Sequence, residues 1–244
     1  MRVPFRLRRL QQGGATRWYA ATARFKDAEF LSALPSAPVS RVWGFDRGDP
    51  IDRFYIERFL ERHRADIRGD VLEFADSTYT RRFGGERVRN SDVLEVVAGN
   101  PKATIVADLS RPNDLASERF DCIICTQVLQ MIFDVRAAVA QLHRLLRPQG
   151  VLLVTGAGIS KVGRHLGIDP WGEYWHFTAQ SMRFLLAEAF ARDELAVAAY
   201  GNVRAATAFL YGVAAQELPP DALTRNDRGY EVLVAARAVK GTRA

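Results

Sequence analysis

The chain has 244 residues, 48% hydrophobic and 25% charged, which is ordinary for a soluble globular protein with a sizeable core. No apolar run approaches the roughly 20 residues needed to span a bilayer; the longest candidate, "AATAFLYGVAA" at 205–215, is short and amphipathic. The net charge of +6 hints at nucleic acid until it is divided along the chain: residues 1–40 hold seven Lys/Arg against two Asp/Glu, leaving 27 against 26 for the rest.

The body is therefore nearly neutral and has no basic stripe interleaved with aromatics, which argues against a nucleic-acid partner. Residues 1–40 open on the Arg-rich "MRVPFRLRRL", with no apolar core behind the arginines, and end in "LSALPSAPVS", a Pro/Ser/Ala linker. They read as a basic, solvated arm, with a membrane-surface contact or a transit peptide as other readings. The folded domain is expected over 41–240.

Within it, "GDPIDRFYIERFLERHRADI" places Asp49 as an N-cap, Pro50 at the first helical position and Ile51, Tyr55, Phe59, Leu60, His63 and Ile67 along one face, the pattern of an amphipathic helix. After Gly69 the period becomes that of short buried strands: "DVLEF" at 70–74, "DVLEVV" at 92–97, "ATIVADL" at 103–109, "FDCIICT" at 120–126 and "GVLLVTG" at 150–156. A helical stripe of Val135, Val139, Leu142 and Leu146, closed by Pro148 and Gly150, joins the last two in a βαβ unit. A helix capped by Thr178 follows, then the strand "ELAVAAY", the helix "NVRAATAFLYGVAAQEL" and the strand "YEVLVAARAV".

Seven strands alternating with helices predict an α/β, doubly wound, mostly parallel seven-stranded sheet covered on both faces. One link resists this: "AGNPKA" is shorter than the dozen residues of a helical crossover. A second drawing eases the conflict, with "RVRNSD" as the strand, Asp92 at its tip and "VLEVVAGNPKA" as a small crossover, and it is the preferred one. The two cysteines, Cys122 and Cys125 in "DCIIC", have odd spacing on a strand, so their thiols point to opposite faces. They read as buried free thiols in a reducing cytoplasm, and no metal site is expected.

The stretch "ATIVADLSRPNDLASERFDCIICTQVLQMIFDVRAAVAQLHRLLRPQGVLLVTGAG" resembles the class I S-adenosylmethionine-dependent methyltransferases, particularly the type 11 branch, and the resemblance runs over roughly 41–240. The family pattern "R-hydrophobic-L-K-P-G-G" corresponds to Arg144-Leu145-Leu146-Arg147-Pro148-Gln149-Gly150, with Gln149 in place of a glycine. "WGEYWHFT" resembles a "W-x-D-Y-W-R-F-T" segment, with Glu173 and His176 as departures. The resemblance implies a Rossmann-like methyltransferase fold, the cofactor S-adenosylmethionine and a small-molecule or glycan-precursor acceptor.

A site for that cofactor needs acceptors for a ribose diol and an ammonium, and a backbone that can come close. The resemblance assigns the first loop to Glu73, Phe74 and Ala75, where the family's "D-x-G-x-G-x-G" has become Glu73-Phe74-Ala75-Asp76-Ser77-Thr78-Tyr79. Ala75 costs energy at positive φ where glycine does not. Asp92 lies 19 residues beyond Glu73, near the spacing of a ribose-binding acid. Asp108 and Leu109 end the third strand, where family members hold the adenine amine, and Thr126 and Gln127 end the fourth, where carbonyls face the methionine ammonium. Trp171, Tyr174, Trp175 and His176 fall where substrate loops close; Trp171 and Trp175 read equally as packing over the sheet edge, and His176 as a base for an acceptor hydroxyl or as a structural hydrogen-bonding group.

Methyl transfer displaces an already activated sulfonium, so alignment can carry the catalysis without a conspicuous catalytic cluster. The leading expectation is a cytoplasmic methyltransferase. The missing glycines keep a second one open, a non-catalytic methyltransferase-like domain serving as a partner in a biosynthetic complex.

Overall fold

The computed structural model describes residues 33–163 and 172–242. Pro38 onward forms one compact unit. Its elements in chain order are α1 (Ile51–Arg62), β1 (Gly69–Phe74), β2 (Val88–Glu95), β3 (Ile105–Val106), β4 (Phe120–Thr126), α2 (Val135–Leu145), β5 (Leu146–Ala157), α3 (Ala179–Leu186), β6 (Leu195–Tyr200), α4 (Val203–Tyr211), α5 (Pro220–Thr224) and β7 (Leu233–Val239).

All seven strands join one sheet in the order β3-β2-β1-β4-β5-β7-β6. β7 runs antiparallel to both of its neighbours, and the remaining pairings are parallel. The central strands are apolar on both faces because both faces are packed. On one side α1 and α4 deliver Ile51, Tyr55, Phe59 and Phe209 onto Val71, Cys122 and Ile124. On the other, α2 and α3 deliver Val139, Leu142, Met182 and Leu186 onto Leu72, Ile123 and Cys125. The two thiols thus lie in different cores, both buried and free.

Local chemistry fixes the helix starts. Thr178 accepts from Ser181 N in a full capping box, Asp134 accepts from Ala137 N, and Asn202 from Ala205 N, each satisfying an orphan donor of the first turn. α1 begins at Ile51 rather than Pro50 and has no side-chain cap; Asp49 instead accepts from the Gln216 amide.

The β2 region corrects the preferred drawing. One strand runs from Val88 through Glu95, with Leu72 opposite Asp92 and Phe74 opposite Leu94, so Asp92 sits mid-strand and Glu95 ends it. Residues 96–104 then cross to β3 without a helix, and β3 keeps only two residues. Nine residues are too few for a helical crossover, and no helix links β3 to β4 either. This margin of the sheet is thinly covered, leaving Val97 and Val106 about half exposed.

Candidate functional site

The strand order reverses between β1 and β4, and in an open α/β sheet that reversal leaves a crevice beyond the carboxyl ends of the strands. Two hollows meet there. The larger, of about 470 Å³, lies over β1, β2 and β3 and is lined by Phe74, Ala75, Leu94, Glu95, Asp108, Leu109, Val128 and Ile132 among others. That volume is within the usual range for small-molecule sites.

Its floor is the turn after β1. Ala75 has φ of 65°, the left-handed conformation that glycine adopts freely and that costs other residues about 1–2 kcal/mol. The turn is held from several directions: Ala75 N donates to the Leu94 carbonyl at 3.2 Å and Asp76 N to the Phe74 carbonyl at 2.8 Å. The Asn100 amide donates to the Ala75 carbonyl at 2.6 Å and to the Glu95 carboxylate at 3.2 Å. One side chain therefore ties the first loop to the acid at the end of β2. Asp108 accepts from Ser110 N and Oγ at 2.8 and 2.6 Å, and these bonds hold its carboxyl below the ordinary range.

The second hollow, of about 260 Å³, lies between α1 and the end of β4. Trp43, Phe45, Asp52, Arg53, Tyr79, Thr126, Gln127 and Gln130 are among its walls, and Met131 lines both hollows. Gln127 stands at φ 57°. The Arg53 guanidinium donates to Tyr79 Oη at 2.8 Å and lies 5.4 Å from the centre of the Phe45 ring. Desolvation pushes the Asp52 carboxyl up to about 6, against the opposing pull of Arg53.

The residues singled out from sequence separate in three dimensions. Phe74, Ala75, Asp108 and Leu109 line the larger hollow with Tyr174, and Thr126 and Gln127 line the smaller one. Asp92 lines neither. Its carboxylate accepts from Thr104 Oγ1 at 2.7 Å and from Arg119 at 2.6 Å. Glu73 is buried, and its two oxygens accept from Tyr79 N and Thr80 N at 3.1 and 2.7 Å. It thereby caps the short π-helical turn Thr80–Gly84. Trp175 donates its indole N–H to the carbonyls of Ile132 and Phe133, and His176 pairs with Glu173 at 3.1 Å. Trp171 lies outside the described residues.

Sequence reasoning missed Glu95, Asn100 and Asp52. Glu95 was out of its reach because the pairing that puts the end of β2 level with Ala75, the first residue beyond β1, is long-range. Asp52 left no local signal, since it reads as a first-turn acid of an amphipathic helix.

Comparison with known proteins bears on this geometry. A family model described as a methyltransferase domain matches residues 63–154, the span from the end of α1 into β5 that builds the larger hollow. Over that span the chain is similar to a methyltransferase domain. The domain shares its fold with the N-methyltransferase NodS from Bradyrhizobium japonicum in complex with S-adenosyl-l-homocysteine, at 16% identity and a TM-score of 0.50 over 80% of this chain and 90% of that one. It is also similar to Haemonchus contortus phosphoethanolamine N-methyltransferase 2, at 13% identity and a TM-score of 0.52 over 78% of this chain and 53% of that one. The [4+2]-cyclase SpnF matches too, at 15% identity and a TM-score of 0.50 over 79% and 82% of the two chains. No curated protein matches this chain by sequence.

Proposed function

We propose that the methyltransferase domain transfers a methyl group from S-adenosylmethionine to a small molecule or glycan precursor. The observation that carries this reading is the convergence of Ala75, Glu95 and Asp108, from the ends of three adjacent strands, on one crevice. Each answers a demand of the cofactor. Glu95 offers a carboxylate to a ribose diol, Asp108 one to an adenine amine, and Phe74, Leu94, Leu109 and Val128 offer apolar faces to a purine. The positive φ of Ala75 gives the backbone course that a glycine would take at the point of closest approach. Thr126 and Gln127 adjoin the methionine end. The bound cofactor supplies a methyl group on a sulfonium, already activated for displacement; the chain's own part is to align an acceptor and exclude water.

A small acceptor is supported by the size of the second hollow and by the near-neutral charge of residues 41–244. Among the described residues no helix is long and apolar enough to cross a membrane; the two free buried thiols favour a cytoplasmic location. Calorimetry with S-adenosylhomocysteine tests the reading directly. Saturable binding in the micromolar range is expected, and no heat up to millimolar ligand would overturn it.

A second reading stays in play because of the likeness to SpnF, a [4+2]-cyclase of the same fold: fold alone does not fix the reaction. A chain that binds the cofactor product yet never yields methylated material, and that co-purifies with a stable biosynthetic partner, would favour that non-methylating role.

A further inference from the structure

The hollow between α1 and β4 is lined by a carboxylate and by a glutamine whose buried amide oxygen has no donor, and this narrows the class of acceptor; the inference rests on the methyltransferase reading above. Asp52, when ionised, can only accept. It therefore turns the Gln127 side chain so that the amide nitrogen faces it, at 3.5 Å. The Gln127 oxygen, facing the other way, receives the Gln130 amide nitrogen at 2.6 Å. That orients Gln130 in turn and leaves its oxygen, Oε1, with no donor although the residue is only 7% exposed. Reversing either amide would set oxygen against oxygen along the relay.

Among the described residues, Arg53 gives one N–H to Tyr79 Oη and each glutamine amide gives one to the relay; none of them donates to Gln130 Oε1. What lacks partners is an acceptor, Gln130 Oε1, and a carboxylate, Asp52, whose remaining contacts are its own neighbour's backbone N–H at 2.9 Å and the long Gln127 contact. A buried acceptor without a donor costs about 1–3 kcal/mol, so the molecule that fills this space has to bring N–H or O–H groups. A partly buried carboxylate favours a cation over a neutral donor.

Lys161 Nζ stands 3.2 Å from the centre of the Trp43 ring, a cation–π contact made by the chain itself. Among the described residues, the charged and titratable groups lining the hollow with Asp52 are Arg53 on its own helix, Tyr79 and Glu173. Of these, Glu173 is engaged by His176 and by Gly163 N.

We propose that this hollow seats the amino group of the methyl acceptor, with the Asp52 carboxylate and Gln130 Oε1 receiving its N–H donors; an acceptor that arrives as an ammonium gives one proton to Asp52, and the freed lone pair takes the methyl as the carbon–sulfonium bond breaks. The acceptor class is then a small amine, with its body against Trp43, Phe45 and Tyr79.

The test uses the full chain saturated with S-adenosylhomocysteine at pH 8, and two probes of the same shape: tyramine, and tyrosol, which has hydroxyl in place of the amine. Calorimetry should show tyramine binding at least ten-fold more tightly than tyrosol. Asp52→Asn should erase the preference, and Gln130→Met, which keeps the volume and removes the acceptor, should reduce it. In both variants the affinity for S-adenosylhomocysteine should stay within about two-fold, which also shows that they fold. Equal affinities for the two probes, or no saturable binding of either at tens of millimolar, overturns the proposal. So does an Asp52→Asn chain that loses S-adenosylhomocysteine together with tyramine, since the acid would then serve the donor's own ammonium. The methyltransferase reading is judged separately, by whether the wild-type chain binds S-adenosylhomocysteine before any amine is added; if it does not, the probe comparison is made on the free chain.

Discussion

The Arg119 guanidinium lies 2.6 Å from the Asp92 carboxylate, within the sheet and short of the strand ends. With Thr104 Oγ1 on its other oxygen, this acid ties β2 to the residues that enter β3 and β4. Glu95, three residues on, is the acid that reaches the crevice and shares Asn100 with Ala75.

The two acids should therefore respond oppositely to removal. Glu95→Ala is expected to weaken S-adenosylhomocysteine at least ten-fold in calorimetry, equivalent to about 1.4 kcal/mol, with little change in melting temperature. Asp92→Ala is expected to leave affinity within about two-fold and to cost about 1 kcal/mol of stability from the lost ion pair. The reverse pattern would return the ribose-binding role to Asp92.

Two positions where the family has glycine retain the glycine backbone conformation. Ala75 and Gln149 both have φ of 65°, and Gln149 N donates to the Lys240 carbonyl at 2.7 Å, so this turn is held despite its side chain. Gln149→Gly should stabilise the protein by about 1 kcal/mol, or roughly 2–4 °C in melting temperature at this size. Ala75→Gly should give a similar gain and a modest tightening for the cofactor product, because the loop then adopts its course without strain. A lower melting temperature for Gln149→Gly would show that the side chain does something beyond occupying the turn.

Asp52 gives stability a pH dependence of known sign. Its folded value of about 6 lies above the ordinary 3.8, so between those limits the native state holds more protons than the unfolded chain. Stability conferred by the neutral form is complete below about pH 4 and is lost as pH rises through 6. Asp52→Asn should remove that fall and leave the protein about 1–3 kcal/mol more stable than wild type at pH 8. Urea unfolding at pH 4 and pH 8 measures the difference, and a gain equal at both pH values would contradict it.

At the amino-terminal end of the central strand β1 the sign reverses. Asp70 accepts from Arg89, Asn90 and Arg147, and Arg147 also reaches Asp121 at 2.6 Å. Arg89 foremost, with Arg147, holds the Asp70 carboxyl well below its ordinary value. This contribution is present above pH 3.8 and disappears as pH falls through the depressed folded value. Arg147→Met should cost about 1 kcal/mol at pH 7 and progressively less on acidification, without altering affinity for S-adenosylhomocysteine. A loss that persists undiminished at pH 2 would point to lost packing instead.

Much of the architecture was legible in the residues. Short apolar runs alternating with amphipathic stretches specify a doubly wound sheet because a strand buried on both faces needs apolar residues at every position, whereas a helix needs only a stripe. The odd spacing of Cys122 and Cys125 placed them on opposite faces for the same reason. Capping side chains, Thr178 among them, act within one turn of their own position and are readable without the rest of the fold.

What the sequence alone left open depends on distance between strands. Whether Asp92 or Glu95 reaches the crevice turns on where β2 stops, and that is set by its register against β1, with Leu72 opposite Asp92 and Phe74 opposite Leu94. The conformation of Ala75 turns on Asn100, a residue 25 positions away. Asp52 became a candidate partner for a substrate only when α1 was set beside the end of β4 and its carboxylate was partly withdrawn from water. Local periodicity determines which residues are buried; which side chains share a crevice is decided by long-range pairing, and no window of the sequence contains it.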